Sequence, residues 1–137
     1  MKNFCCFLQY DRKARELAIP VILCNPEDPE NVIRDCVGII DTGATSSMIS
    51  ADIADRLKLD PVGNISISGV HGTENAKLYQ CDIVFGENHI LTRHSVSAAE
   101  GDAGFDLLIG MDILSLGELY LVNREGKTFF RFGIPFF

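Results

Sequence analysis

Apolar and polar positions alternate with a short period along much of this chain of 137 residues. Ile65 and Ile67, for example, alternate with Ser66 and Ser68, and a period of two is typical of a β-strand with one buried face. Two further runs, residues 37–40 and 105–110, are largely apolar, which is typical of strands buried on both faces. The pattern therefore predicts a mainly β fold.

Turn residues divide the chain into many short strands and two short helices. Ser50 is a good N-cap for the first helix, whose first turn contains Asp52. The start is less regular, because residues 4–8 could form a strand and residues 11–17 a helical turn. The predicted strands span 19–24, 32–41, 47–49, 65–73, 77–85, 89–97, 118–123 and 127–132, and the predicted helices span 51–58 and 111–116.

These elements predict an all-β domain, a small closed barrel-like fold with one or two short helices. Residues 19–41 are expected to form one hairpin, and residues 65–85 a longer hairpin whose tip lies between Gly69 and Gly72. We divide the chain into an N-terminal extension or extra strand, residues 1–18, and one domain, residues 19–137.

Composition and charge narrow the class of protein. Hydrophobic residues make up 47% of the chain, which is enough for a core, but no apolar run approaches the roughly 18 residues of a transmembrane helix. The net charge of −7 argues against nucleic acid as the main partner. The start shows no signal-peptide pattern, so we expect a cytoplasmic protein that is not bound to a membrane.

Cysteine and histidine residues give no indication of a metal site. The five cysteines include no C-x-x-C pair, and in the cytoplasm they are most simply reduced core thiols. His71, His89 and His94 do not supply the clustering that a zinc site needs, and His89 and His94 are expected on the surface of a strand. We predict no metal and no cofactor.

The clearest candidate for chemistry is Asp41, which ends the first apolar run and begins an Asp-Thr-Gly triplet. A carboxylate at the end of a buried strand is costly unless something satisfies or uses it. Gly43 allows a tight turn directly after the acid, and Thr42 and Thr45 offer hydroxyls that can hold that turn. The stretch therefore has the features expected of a functional site.

Acid–base catalysis by a pair of carboxylates would explain this site, provided that a second copy supplies the other acid. Two aspartates about 3 Å apart share one proton, so that one acts as base and the other as acid. The chain contains only one Asp-Thr-Gly, so the pair would form across a homodimer axis. Five of the nine phenylalanines lie in the last nine residues, and we expect a second chain to cover such a tail.

Two other interpretations compete with catalysis. Residues 38–45 superficially resemble the phosphate loop of actin-like and sugar-kinase-like ATPases, but those folds need two such loops and a far longer chain. Alternatively, the chain could be a catalytically silent dimerisation or peptide-binding module, since a fold does not fix a function. Burying a pair of carboxylates that serves no function would cost stability, and this argues against the second alternative.

Three segments resemble those of the retropepsin-like aspartic proteases and occur in the same order. They are residues 39–45 with the Asp-Thr-Gly-Ala core, the Gly-Val-His-Gly tip at residues 69–72, and Leu-Leu-Ile-Gly at residues 107–110. The resemblance covers roughly residues 19–132. It implies an aspartic endopeptidase that acts as a homodimer on peptide or protein substrates without a cofactor.

The resemblance also implies roles for individual residues. Asp41 would be the catalytic acid, with Thr42 and Gly43 supporting the active-site turn, and residues 65–85 would form a flap over the substrate. Residues 108–110 would pack under the turn, and the C-terminal strand would join a sheet between subunits. The implied substrate-binding residues are Ala44, Thr45, Val70, His71, Gly72 and Ile109.

Two positions refine this picture. Ala44 stands where many aspartic proteases have a serine whose hydroxyl would stabilise the ionised pair, so we expect activity at less acidic pH. Asp112 is expected to cap the second helix or to pair with an arginine such as Arg34 or Arg93.

Overall fold

The computed structural model describes residues 6–10, 13–69, 72–86, 89–101 and 103–134. Within these ranges, no helix has the length and apolar character needed to cross a membrane. The elements in chain order are β1 (Cys6–Tyr10), β2 (Ala18–Asn25), β3 (Asp28–Ile40), β4 (Met48–Ser50), α1 (Ala51–Arg56), β5 (Gly63–Gly69), β6 (Gly72–Phe85), β7 (His89–Ala99), β8 (Leu107–Ile109), α2 (Met111–Leu114), β9 (Glu118–Arg124) and β10 (Lys127–Gly133).

Most strands belong to one sheet that closes on itself. Its order is β2-β3-β8-β4-β7-β6-β5, and an additional pairing of β2 with β6 turns six of these strands into a ring rather than a true barrel. β5 lies outside the ring and pairs with β6 as the predicted long hairpin. The interior of the ring is filled by fully buried aliphatic and aromatic side chains, which include Ile19, Leu23, Ile49, Leu57, Ile83, Phe85, Leu107 and Ile113. The predicted all-β fold is confirmed.

A second sheet of three strands, in the order β1-β10-β9, packs beside the ring. Phe130 and Phe132 of β10 are fully buried, and the ring of Phe132 meets that of Phe85 edge to face at 6.4 Å. The expectation that the phenylalanine-rich tail needs another chain is therefore wrong for these two residues, because their own chain covers them. Phe136 and Phe137 lie outside the described residues.

Local signals predicted the first helix and its start correctly. The backbone N–H of Ile53 donates to the Ser50 hydroxyl at 3.1 Å, which confirms the N-cap. The helix ends at Arg56, two residues before its predicted end, because Lys58 adopts a left-handed backbone conformation with φ of 55°. β3 begins earlier than predicted, at Asp28, because Pro26 and Glu27 alone complete the turn from β2.

The predicted helical turn at residues 11–17 is wrong for residues 13–17, and residues 11–12 lie outside the described ranges. The backbone of this segment is hydrogen-bonded to other elements instead. The N–H of Ala14 donates to the Thr128 hydroxyl at 2.8 Å, and the carbonyl of Leu17 accepts from the N–H of Ile40 at 2.9 Å. These long-range bonds take the groups that a helix would use.

Candidate active site

Asp41 directly follows β3, at the edge where the parallel strands β3 and β8 both end. Its backbone N–H donates to the carbonyl of Ile109 at 2.9 Å, which continues the pairing of the two strands by one residue. Its carboxylate accepts from the N–H of Gly43 at 2.9 Å, and its carbonyl accepts from the N–H of Ala44 at 3.2 Å. The turn therefore fixes the acid from both sides, while Asp41 itself stays partly exposed.

The Asp41 side chain opens into a cleft of about 660 Å³ between the ring and the three-stranded sheet. Its lining includes the segment that precedes β2, together with Leu121 and Asn123 of β9. The remaining lining residues are mostly apolar, with Ile39, Ile40, Phe105 and Leu108 among them. The cleft can accommodate an extended, largely apolar chain segment beside the carboxylate.

The structure brings the turn residues predicted for the site together around Asp41. Thr42, Gly43 and Thr45 are exposed, and Ala44 is half-buried. In the described part of the chain the turn is held by backbone groups and by the Asp41 carboxylate, rather than by the two threonine hydroxyls as expected.

Of the predicted flap residues, Gly72 begins β6 at the exposed tip of the hairpin, with a φ of +110° that favours glycine. Val70 and His71 lie outside the described residues.

Ile109, predicted to bind substrate, is fully buried in this chain. Its side chain packs against β3 so closely that a Cβ at Gly38 would lie 2.7 Å from the Ile109 Cδ1. Because successive side chains of a strand point to opposite faces, the residue that faces the cleft from β8 is its neighbour Leu108. Ile109 therefore supports β3 beneath the turn that contains Asp41.

A polar network that the sequence did not indicate lies behind this turn. The buried hydroxyl of Ser47 donates to the Asp112 carboxylate at 2.7 Å and accepts from the N–H of Gly110 at 3.0 Å. The other carboxylate oxygen of Asp112 lies 2.8 Å from Nε2 of His94. The prediction that Asp112 pairs with an arginine is wrong, because Arg93 pairs with Glu27 instead.

Two further predictions concern this network. Gly110 rather than Asp112 is the N-cap of α2, but the Asp112 carboxylate accepts from the N–H of Ile113 in the first turn at 3.0 Å. His94 lies on β7 as predicted and is half-buried, with a side chain that is 20% exposed. No local pattern could have revealed these contacts, since Ser47 and Asp112 are 65 residues apart.

The network makes stability depend on the ionisation of Asp112. Burial alone would raise the pKa of Asp112, but the hydrogen bonds from Ser47 and His94 lower the pKa below its ordinary value of 3.8. A carboxyl group whose pKa is lowered by folding stabilises the folded state at pH values above its ordinary pKa. This contribution is lost as the pH falls through the pKa of the folded state.

We therefore expect Asp112→Asn to be less stable than the wild type at about pH 6, and the difference to shrink at about pH 3. Urea unfolding of both proteins at the two pH values measures this. An equal difference at both values would show that the charge of Asp112 does not contribute.

Gly110 allows a close approach between the turn of Asp41 and the segment after β8. A Cβ at this position would lie 2.9 Å from the backbone carbonyls of Ala44 and Ser46, which cannot move without shifting the turn. We expect Gly110→Ala to cost about 1–3 kcal/mol of unfolding free energy. Gly63→Ala is the control, because nothing lies within 4 Å of a Cβ there. Thermal unfolding measures the stability of both variants, and an equal loss of stability in the two would refute the close approach at Gly110.

Cysteine chemistry and metal binding find no support among the described residues. Cys24, Cys36 and Cys81 are free thiols, and burial raises the pKa of Cys36 to about 11 and that of Cys81 to about 12. Such thiols stay protonated near neutral pH and are poor nucleophiles. No group of three or more His, Cys, Asp or Glu side chains in the described ranges could hold a metal ion.

Comparisons with known proteins agree with this geometry. Residues 34–116 match the family described as "gag-polyprotein putative aspartyl protease". A retropepsin-like aspartic protease from Rickettsia conorii has a similar structure, with a TM-score of 0.59 and 14% identity over 96% of this chain and 94% of that one. The retroviral protease-like domain of Ddi1 from Leishmania major is also similar, with a TM-score of 0.51 and 15% identity over 90% of this chain and 97% of that one.

A search of curated proteins by sequence gave no match. The two structural similarities, at such low identity, establish the fold alone. The family match covers more than half of the chain and includes the Asp41 turn, the hairpin of β5 and β6, and the segment after β8. This chain therefore belongs to the gag-polyprotein aspartyl protease family and has the retropepsin-like fold.

Proposed function

We propose that the protein is an aspartic endopeptidase whose active site forms between two identical chains. The observation that carries the proposal is the placement of Asp41, which is held by two hydrogen bonds within its turn and opens into a cleft large enough for a peptide. Within one chain this cleft contains Asp41 but no second Asp-Thr-Gly turn. A symmetric dimer supplies the missing turn.

The chemistry follows from two Asp41 carboxylates that meet at the dimer axis. They share one proton, because two like charges about 3 Å apart cannot both ionise easily. The ionised carboxylate removes a proton from a bound water molecule, and the protonated one polarises the scissile carbonyl. Attack gives a tetrahedral diol, and return of a proton to the leaving amine breaks the C–N bond.

β9 is the surface that we propose for dimerisation. It forms the edge of the three-stranded sheet, and among the described residues only β10 pairs with it. Leu119, Tyr120 and Leu121 are 36%, 52% and 49% exposed, although they lie in the middle of a strand. Exposed apolar edges of this kind invite pairing with another chain. Leu121 also lines the cleft of Asp41, so a partner bound here would reach the site.

The hairpin turn determines which backbone groups of β9 are available to a partner. Glu125 and Gly126 both have positive φ, 53° and 74°, and form a two-residue turn that pairs Arg124 with Lys127. In such hairpins the residues that flank the turn form a hydrogen-bonded pair, and the pattern then alternates. The N–H and C=O groups of Leu119, Leu121 and Asn123 therefore point to the outer edge.

A second copy fits this edge in one register better than in others. An antiparallel pair of β9 strands centred on Leu121 overlaps along all seven residues and exchanges the outward-pointing backbone groups. This register also places Glu118 opposite the partner's Arg124, once at each end of the pair. Opposite charges across a strand pair favour the register, whereas like charges would disfavour it.

The substrate is proposed to be an extended peptide that adds a strand along the Asp41 cleft, with the hairpin of β5 and β6 closing over it as a flap. The apolar lining of the cleft by Ile39, Leu108 and Leu121 favours apolar side chains next to the cut. The free thiols suit a reducing compartment such as the cytoplasm. No cofactor takes part in the proposed reaction.

Cleavage of a peptide library by the wild-type protein tests this function, and a pepstatin-type inhibitor checks the catalytic class. We expect cuts between apolar residues that the inhibitor abolishes. A folded dimer that cleaves no library member over a range of pH would contradict the proposal.

A further inference from the structure

Four hydrogen bonds join the turn that carries Asp41 to the segment that ends β8 and begins α2. They are Asp41 N to Ile109 O at 2.9 Å, Met111 N to Ala44 O at 2.8 Å, Gly110 N to Ser47 Oγ at 3.0 Å, and Ser47 Oγ to Asp112 Oδ1 at 2.7 Å. The first two use backbone groups only. The last two depend on the hydroxyl of Ser47, whose orientation is fixed by the bond that it donates to Asp112.

Asp112 also connects this segment to a third element. Its second oxygen is bonded to His94 of β7, which pairs with Cys81 of β6. β6 is the strand that continues into the flap hairpin. One carboxylate thus lies between the catalytic turn, the start of α2 and the strand pair below the flap.

We propose that Asp112 is a positioning residue for Asp41, a role that rests on the proposed peptidase function. Without the carboxylate, the Ser47 hydroxyl can rotate away from the N–H of Gly110, and residues 44–47 lose their side-chain attachment to α2. The turn then holds Asp41 less accurately. Catalytic groups must stay within a fraction of an ångström of their productive position, so this loss lowers the rate of the chemical step.

Asp112 is not among the residues that line the Asp41 cleft, so it makes no direct contact with a substrate bound there. Its removal should therefore lower kcat and leave KM nearly unchanged. This distinguishes positioning from binding. It also distinguishes positioning from simple loss of folded enzyme, because kcat is expressed per active site counted with a tight inhibitor.

The chain offers a matched control in Asp52. Asp52 is the second residue after the N-cap Ser50 of α1, just as Asp112 is the second residue after the N-cap Gly110 of α2. Asp52 is exposed and pairs only loosely with Arg56, at 3.9 Å. Replacing either residue by alanine removes a carboxylate from the first turn of a short helix, but only Asp112 is bonded to Ser47, to His94 and to the N–H of Ile113.

We expect Asp112→Ala to lower kcat by about 10- to 100-fold with KM changed less than about twofold, and Asp52→Ala to change neither. Asp112→Asn should recover most of kcat, because its amide oxygen can still accept from Ser47. Should Asp112→Ala fail to fold, His94→Ala, which removes only the bond to the second oxygen of Asp112, should lower kcat by about three- to tenfold. Unchanged kcat in Asp112→Ala or His94→Ala would overturn the proposal.

Amide hydrogen exchange gives a readout that does not depend on peptidase activity. Asp112→Ala should speed exchange at the N–H groups of Gly110 and Met111, and Asp52→Ala should not. Unchanged exchange at these two groups would also overturn the proposal. If Asp112→Ala exchanges faster at these groups but the wild-type protein cleaves no peptide, the proposed function is refuted, while the attachment of the turn by Asp112 stands.

Discussion

Replacing Asp41 by asparagine is expected to lower kcat/KM for peptide cleavage by about 10³- to 10⁴-fold while the protein stays folded. An amide cannot take a proton from the attacking water, so the variant lacks the base of the reaction. Its oxygen can still accept the hydrogen bond from the N–H of Gly43, which holds the turn in the wild type at 2.9 Å. The loss should therefore come from chemistry rather than from unfolding, and circular dichroism with a peptide-cleavage assay measures both.

Glu16 provides a control for a second carboxylate from the same chain, because Glu16 lines the same cleft as Asp41. If the second carboxylate came from within the chain, Glu16→Gln would be as damaging as Asp41→Asn. We expect Glu16→Gln to retain activity within about threefold, since the partner's Asp41 supplies the second acid. Undiminished cleavage by Asp41→Asn would refute the mechanism. If Asp41→Asn instead left every phenotype of the organism unchanged, the protein would be better described as a catalytically silent binding module.

Leu121→Asp is expected to raise the dissociation constant of the dimer by at least about 100-fold and to abolish activity at concentrations where the wild type is dimeric. In the proposed register Leu121 faces its own copy, so the substitution places two carboxylates against each other in a newly buried position. Ile90→Asp is the control, because Ile90 is 61% exposed on β7 and does not line the Asp41 cleft. Sedimentation equilibrium measures the dissociation constant of each variant.

Exchanging the two charges of β9 tests the register itself. Glu118→Arg or Arg124→Glu alone would place like charges opposite each other at both ends, and each should weaken the dimer by about tenfold. The double variant restores opposite charges and should recover the wild-type affinity. Failure of the double variant to recover, with both single variants weakened, would exclude the register centred on Leu121.

The parts of the fold that follow from neighbouring residues could be predicted from the sequence. The period-two pattern around Ile65, the apolar runs that end at Ile40 and Ile109, and the N-cap Ser50 each report on their own element. The candidate site could be proposed for the same reason, because the acid, the glycine and the apolar strand before them are contiguous. The dimer was inferred from the single Asp-Thr-Gly of the chain, and the resemblance added the role of residues 65–85 as a flap.

What could not be predicted depends on residues brought together from far apart. Whether residues 13–17 form a helix was decided by Thr128 and Ile40, which take their hydrogen bonds. Which phenylalanines are buried was decided by the pairing of β1 with β10 and by packing against the ring. The bonds of Asp112 to Ser47 and His94 likewise exist only once β7, α2 and the turn of Asp41 have met.

The central claim is that each active site contains Asp41 from two chains, and a mixing experiment tests it most directly. A fixed amount of wild-type protein is equilibrated with increasing amounts of inactive Asp41→Asn, and cleavage is measured at a total concentration well above the dimer dissociation constant. If both aspartates are needed, mixed dimers are inactive, and activity falls in proportion to the fraction of wild-type chains. Activity that stays constant as the inactive variant is added would show that one chain carries a complete site and would contradict the account.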